Sequence, residues 1–244
     1  MREDVGRLAT QCESLVPPCP SSFDPSATAK LKVASIVIAA TFDSLGLQGP
    51  LQIWLRFLIG LSSITPQWIG YGVVIDTIRD QQSAWNSNTT GVNVLLLRAQ
   101  DLVRAQQLSR ASAPDAAAAA DEAELEDATA DLLDALRGSC AMRRGPTIVL
   151  LPPTSTEGAA ASADDGKPSL SKRLRAIDGV CVHDEAQLRS WLGTLRFHSS
   201  FLDRVAHAPY SPTGCSVFAA ILCRELCRLL APKKKVIAID CPRE

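Results

Sequence analysis

Three stretches of this chain run apolar without alternation: LKVASIVIAA (31–40), VNVLLLR (92–98) and PTIVLLPP (146–153). A strand with one wet face alternates polar and apolar residues. Continuous runs of Val, Ile and Leu fit strands covered on both faces, as in a parallel sheet between two helical layers. Such a sheet needs a large core, and 46% hydrophobic residues in 244 supply one for a single large domain, with or without an appendage.

The segments between these runs read mostly as helices. GPLQIWLRFLIGL (49–61) places apolar residues at 51, 54, 55, 58 and 61, a helical stripe. A weaker strand is expected around 63–70, and GVVIDTIRDQQSAW (72–85) reads as a helix. The Ala-rich, acidic segment 111–138 carries Leu125, Leu132, Leu133 and Leu136 on one helical face, with Gly138 as its stop. GVCVH (179–183) predicts a short strand, and DEAQLRSWLGTL (184–195) a helix. SPTGCSVFAAILCRELCRLLAP (211–232) is the clearest helix, with Ser211 as cap, Pro212 in the first turn and Pro232 just past the end. Strands alternating with helices imply right-handed βαβ units and a three-layer α/β/α domain with a mostly parallel sheet. Functional residues are then expected beyond the strands' C-terminal ends, near 40–44, 98–101, 151–154 and 183.

Composition narrows the function classes. A net charge of −1 gives no long-range attraction to nucleic acid, and no run of 18 apolar residues spans a membrane. The start, MREDVGRLAT, has two acids by position 4 and does not resemble a secretory signal, so a cytoplasmic chain with reduced thiols is expected. The eight cysteines include no C-x-x-C pair. Cys223 and Cys227 read as small apolar core residues, and no residue is read as a metal ligand. His183 and His198 have no partner that the sequence identifies. The expected organisation is a loose segment over 1–30, an α/β domain over 31–232 with a mobile insertion at 154–169, and a linker with a strand over 233–244.

Five segments, in order, resemble a known family. They are AATFDSLGLQGPLQIWL (39–55), YGVVIDTIRDQQSAWNSNTTGVNVLLLRAQDL (71–102), PTIVLLPPTS, DRVAHAPYSP (203–212) and KKKVIAIDC. Together they are similar to the N-terminal domain of FkbH-like proteins of the HAD superfamily, subfamily IIIC, followed by the first strand of its phosphatase domain. The resemblance implies an SGNH/flavodoxin-like fold. In the full-length family it implies loading of glyceryl units onto acyl carrier proteins in polyketide-type biosynthesis, with removal of phosphate through Mg²⁺.

That phosphatase domain opens with a D-x-D-x-T loop. Asp240 matches its first aspartate and Cys241 the residue between, but Pro242 stands where the second aspartate belongs. A phosphoryl group needs a divalent cation and more than one carboxylate, so this remnant is expected to lack phosphatase activity and to bind no cofactor. An acyl carrier protein or a HAD domain is the expected partner. Within the SGNH-like domain, Asp43-Ser44-Leu45 mimics a hydrolase signature, with Phe42 in place of glycine. Ser44 is then a candidate nucleophile, with His207 as base and Asp203 orienting it. The alternative for Ser44 is a helix-cap or loop serine, and for His207 a loop histidine bonded to backbone. Thr41, Tyr71, Arg98 and Asp101 match the family at strand and loop ends, which implies binding roles; for Arg98 and Asp101 the preferred reading is a salt bridge that caps the next helix, with a binding pair as the alternative. An active serine esterase and a nonfunctional fragment remain as other readings.

Overall fold

In the computed structural model, which describes residues 35–58, 64–89, 91–103, 122–143, 145–153 and 169–230, successive residues of one strand serve two different cores. Strand β1 (Ile36–Ala40) sends Ile36, Ile38 and Ala40 to one side and Val37 and Ala39 to the other. β3 (Val92–Leu96) divides in the same way, Val92, Val94 and Leu96 against Leu95. All five residues of β1, like those of β3, are buried, which is why neither stretch alternates in polarity.

The sheet is completed by β2 (Gln67–Ile69), β4 (Thr147–Leu150) and β5 (Val180–His183). Its order is β2-β1-β3-β4-β5, and every pair is parallel. The first layer contains α1 (Leu45–Leu58), α6 (Glu185–Leu192) and α8 (Pro212–Leu230). The second contains α2 (Val74–Arg79), α3 (Ala84–Ser87), α4 (Glu122–Met142) and α5 (Leu170–Arg175). A seventh-place helix, α7 (Ser200–Ala206), lies between α6 and α8 in sequence. The expected three-layer α/β/α fold is therefore the observed one.

Four local readings are corrected. The expected helix over 72–85 is a 3₁₀ turn (Tyr71–Val73), α2 and α3. Asp80 is extended and its carboxylate accepts from the Gln82 amide at 2.9 Å, while Ser83 caps α3 through the Asn86 amide. Gly138 does not stop α4, which continues to Met142. Ser139 sustains that last turn: its hydroxyl accepts from Trp85 Nε1 at 3.0 Å and donates to Asn86 Oδ1 at 2.6 Å. Helix α1 begins at Leu45, four residues before the expected start, because the Asp43 carboxylate takes the Leu45 amide at 2.9 Å. Helices α5 and α7 have no counterpart in the sequence reading. The expected segments 1–30 and 233–244, with Asp240 and Cys241, lie outside the described residues, as do 154–168 of the expected insertion.

A buried polar network closes the N-terminal end of the sheet. Asn93 donates to the Trp85 carbonyl at 2.8 Å, and Asn88 donates to Asn93 Oδ1 at 2.7 Å. Arg143 donates to the Asn88 carbonyl through Nε at 3.1 Å and Nη2 at 3.0 Å. Among the described residues no buried side-chain nitrogen or oxygen lacks a partner.

The opposite end carries the site. From β1 the chain passes outward to β2, then returns to β3 on the other side of β1 and steps away through β4 and β5. The crossovers diverge at β1 and β3, and a crevice opens beyond the C-terminal ends of these two strands.

Candidate functional site

Thr41 is the first residue past the tip of β1, and Arg98 the second past the tip of β3. The Arg98 amide donates to Thr41 Oγ1 at 3.0 Å, and the same hydroxyl donates to the Arg98 carbonyl at 3.4 Å. The Thr41 amide continues the ladder to the Leu96 carbonyl at 3.0 Å. Thr41 thus locks the two strand ends together at the mouth of the crevice.

The Arg98 side chain is 1% exposed and is held by two aspartates. Its Nε and Nη2 donate to the two Asp101 oxygens at 2.6 and 2.7 Å. Its Nη1 and Nη2 donate to the two Asp203 oxygens at 2.8 and 3.0 Å. Both pairs are bidentate, the geometry in which a planar guanidinium binds carboxylate most strongly. Burial works against the charge of Arg98, but the hydrogen bonds and charges of Asp101 and Asp203 outweigh it and hold the guanidinium protonated above its ordinary range. Burial likewise pushes the Asp203 carboxyl up, and Arg98 and His198 overcome that and hold it below the usual value. The Phe42 ring lies 5.7 Å from the guanidinium carbon, so the cation also rests near an aromatic ring.

Two histidines border this node. His198 Nε2 lies 3.3 Å from Asp203 Oδ2. His207 caps α7 in the left-handed conformation, φ 53°, which costs a side chain that glycine does not carry. Its Nε2 lies 3.7 Å from Asp101 Oδ1 and its Nδ1 4.0 Å from Asp203 Oδ1. Its ring centroid is 5.4 Å from that of Tyr71.

The structure therefore gathers Thr41, Tyr71, Arg98, Asp101, Asp203 and His207 around one crevice. Arg98 and Asp101 form the expected salt bridge. Asp203, read from the sequence as the orienting acid of His207, is foremost the second carboxylate on Arg98. Ser44 stands at the same end of the sheet: the Asp43 amide donates to the His207 carbonyl at 2.9 Å, and the Ser44 carbonyl accepts from Leu47 in the first turn of α1. His198 is the residue that sequence reading misses here. Its partner lies five positions on, across the N-terminus of α7, a helix without a periodic apolar stripe to announce it.

An open cleft of about 570 Å³ runs beside the node, lined by Arg98, Gln100, Asp101, His198, Ser200 and Arg204 among others. Helix α7 and the 3₁₀ turn add exposed apolar side chains: Phe201, Val205, Tyr71 and Val73. Beneath the cleft Tyr210 is buried; its hydroxyl donates to the Pro153 carbonyl at 3.3 Å, and burial pushes its pKa well up.

A Mg²⁺ ion does not fit the carboxylates here. Both oxygens of Asp101 and both of Asp203 already accept from Arg98, and the cation they would hold is present as a guanidinium. Among the described residues, no helix is long and apolar enough to cross a membrane.

No family model matches the chain, and no curated protein matches it significantly. Among solved structures, the chain is similar to the crystal structure of the N-terminal part of the protein BF1531 from Bacteroides fragilis, described as containing a phosphatase domain complexed with Mg. The TM-score is 0.52 at 12% identity, over 79% of this chain and 51% of that one, so this chain spans about half the length of the structure it matches. At that identity the likeness is one of fold.

Proposed function

We propose that the described domain is a docking and positioning domain of the FkbH-like type, which presents an acyl carrier protein to HAD-type phosphoryl chemistry carried elsewhere. The observation that carries this reading is the pairing of a rigid polar node with an exposed apolar rim. Arg98, Asp101 and Asp203 saturate one another, so the node is a scaffold rather than an open phosphoryl site. Phe201 and Val205, one helical turn apart, are exposed on α7, the helix whose Ser200, Asp203 and Arg204 line the cleft, and exposed apolar side chains on a helix that borders a polar cleft suit a protein partner. The order of the five family-like segments supports the same assignment. Mg²⁺ chemistry belongs, in this reading, to residues outside the described domain.

The test is fluorescence anisotropy with a labelled holo-acyl carrier protein. The chain is expected to bind it, and Phe201→Glu with Val205→Glu to weaken binding about tenfold or more. Equal binding by the double variant, or no binding by the parent chain, overturns the reading.

A second reading is favoured by one observation: the Asp43–His207 main-chain bond brings Ser44 to the crevice that holds His207 and two carboxylates. A serine ester or thioester hydrolase using Ser44, His207 and Asp203 would turn over a p-nitrophenyl ester. Its activity would vanish in Ser44→Ala and in His207→Ala. Turnover unchanged in Ser44→Ala excludes it.

A further inference from the structure

On the far edge of the sheet, β5 and α8 bring together a second group of reactive side chains that the crevice does not use. Cys181 and His183 are two apart on β5, so both point to the face covered by α8. Glu225 reaches them from that helix. His183 Nε2 lies 3.8 Å from Cys181 Sγ and 3.2 Å from Glu225 Oε2, and the three ligand atoms all lie within 4.8 Å of one another. His183 and Glu225 are buried, and Cys181 is half-buried.

We propose that Cys181, His183 and Glu225 form a binding site for a thiophilic divalent ion of the zinc class. Bonds of about 2.3 Å to sulfur and about 2.1 Å to nitrogen and oxygen, at tetrahedral angles, set ligand edges of roughly 3.4–3.6 Å. The edges from His183, 3.8 Å to Cys181 and 3.2 Å to Glu225, straddle those values, and the third edge, from Cys181 to Glu225, lies within 4.8 Å, so the ion draws the three ligands together as it enters. The donor set selects the metal. One sulfur, one imidazole nitrogen and one carboxylate oxygen suit zinc or cobalt and disfavour magnesium and calcium, which take oxygen ligands.

The outer shell is also in place. His183 Nδ1 lies 3.2 Å from Gln187 Oε1. An Nδ1–H donated to that amide oxygen leaves the Nε2 lone pair facing Cys181 and Glu225, the tautomer a metal requires. Arg228 meanwhile stands where an ion would: its Nε is 2.8 Å from Glu225 Oε2 and its Nη2 is 3.4 Å from Cys181 Sγ. Its side chain is 59% exposed, so it swings into solvent at little cost when a metal enters. Coordination replaces the S–H bond of Cys181 by a metal–sulfur bond and releases one proton to solvent. Water fills the fourth position, and the ion ties the edge strand to the helix that covers it.

The site predicts opposite effects for neighbouring substitutions. Equilibrium dialysis of the reduced, untagged full chain against Zn²⁺ or Co²⁺ measures affinity, and the thiolate-to-cobalt absorption band reports the sulfur ligand. The parent chain is expected to bind with that band and to melt at a higher temperature with Zn²⁺. Cys181→Ser and Glu225→Gln should weaken binding about tenfold or more, by analogy with losses at supporting residues of metal sites. Arg228→Ala should tighten it several-fold by removing the competing cation. Cys223→Ser with Cys227→Ser should leave both affinity and band unchanged. A plain His183–Glu225 ion pair gives none of these. Absence of the cobalt band in the parent chain, or its persistence in a folded Cys181→Ser, overturns the proposal. So does a loss of affinity in Arg228→Ala, which has no ligand atom to lose.

Discussion

Arg98 sets the electrostatics of the crevice, and its replacement should be the most damaging single change there. Arg98→Ala leaves Asp101, whose side chain is 3% exposed, as a buried charge without its partner. Breaking such a pair costs about 3–5 kcal/mol, and urea unfolding measures it. Asp203→Asn should cost less, since Asp203 is 20% exposed and Asp101 still holds Arg98. It should also change the acid response. Because Asp203 titrates below its ordinary value in the folded state, its contribution is full above the unfolded carboxylate pKa of about 4 and fades as pH falls through the lower folded value. Unfolding free energies measured from neutral pH down through that range should fall less steeply for Asp203→Asn than for the parent. The Arg98–Asp101 pair is legible in sequence because three positions at a strand tip are local neighbours. Asp203 lies 105 residues from Arg98, and no local pattern announces that bond.

Helix α7 ends on a strained residue, and that strain is measurable apart from the side chain. His207→Ala and His207→Gly both remove the imidazole, but only glycine relieves φ 53°. The glycine variant should therefore be more stable than the alanine variant by about 1 kcal/mol in chemical denaturation. Gly214 in α8 behaves in the opposite sense: a Cβ there would stand 2.5 Å from the Phe197 carbonyl oxygen. Gly214→Ala should cost about 1–3 kcal/mol, read as a lowered melting temperature. The long elements were readable because apolar runs and periodic stripes are strong signals. Helix α8 even begins as its sequence suggests, with Ser211 Oγ accepting from the Gly214 amide at 3.1 Å. The errors cluster where a distant partner decides the outcome. Gly138 continues a helix because Trp85 and Asn86 hold the next residue, and the break at Asp80 depends on Asn86 Nδ2 donating to the carbonyls of Ile78 and Asp80.

Across the whole molecule, stability should fall from the centre of the sheet to its edges. β1 and β3 are fully buried, whereas the three residues of β2 are half-buried or exposed. Amide hydrogen exchange should therefore be slowest at Ile38 and Val94 and faster at Trp68; equal protection of β2 would show that something else covers that edge. The strand order also imposes a sequence of events on a ribosome. β2 emerges soon after β1 and can pair with one side of it, but the other side waits for β3, whose Val92 pairs with Ile36. From Ile69 to Leu96 the ribosome adds 27 residues, about one to five seconds of synthesis. Through that interval the most apolar strand of the nascent chain offers an open edge, so slow translation between β2 and β3 is where chaperones would matter most.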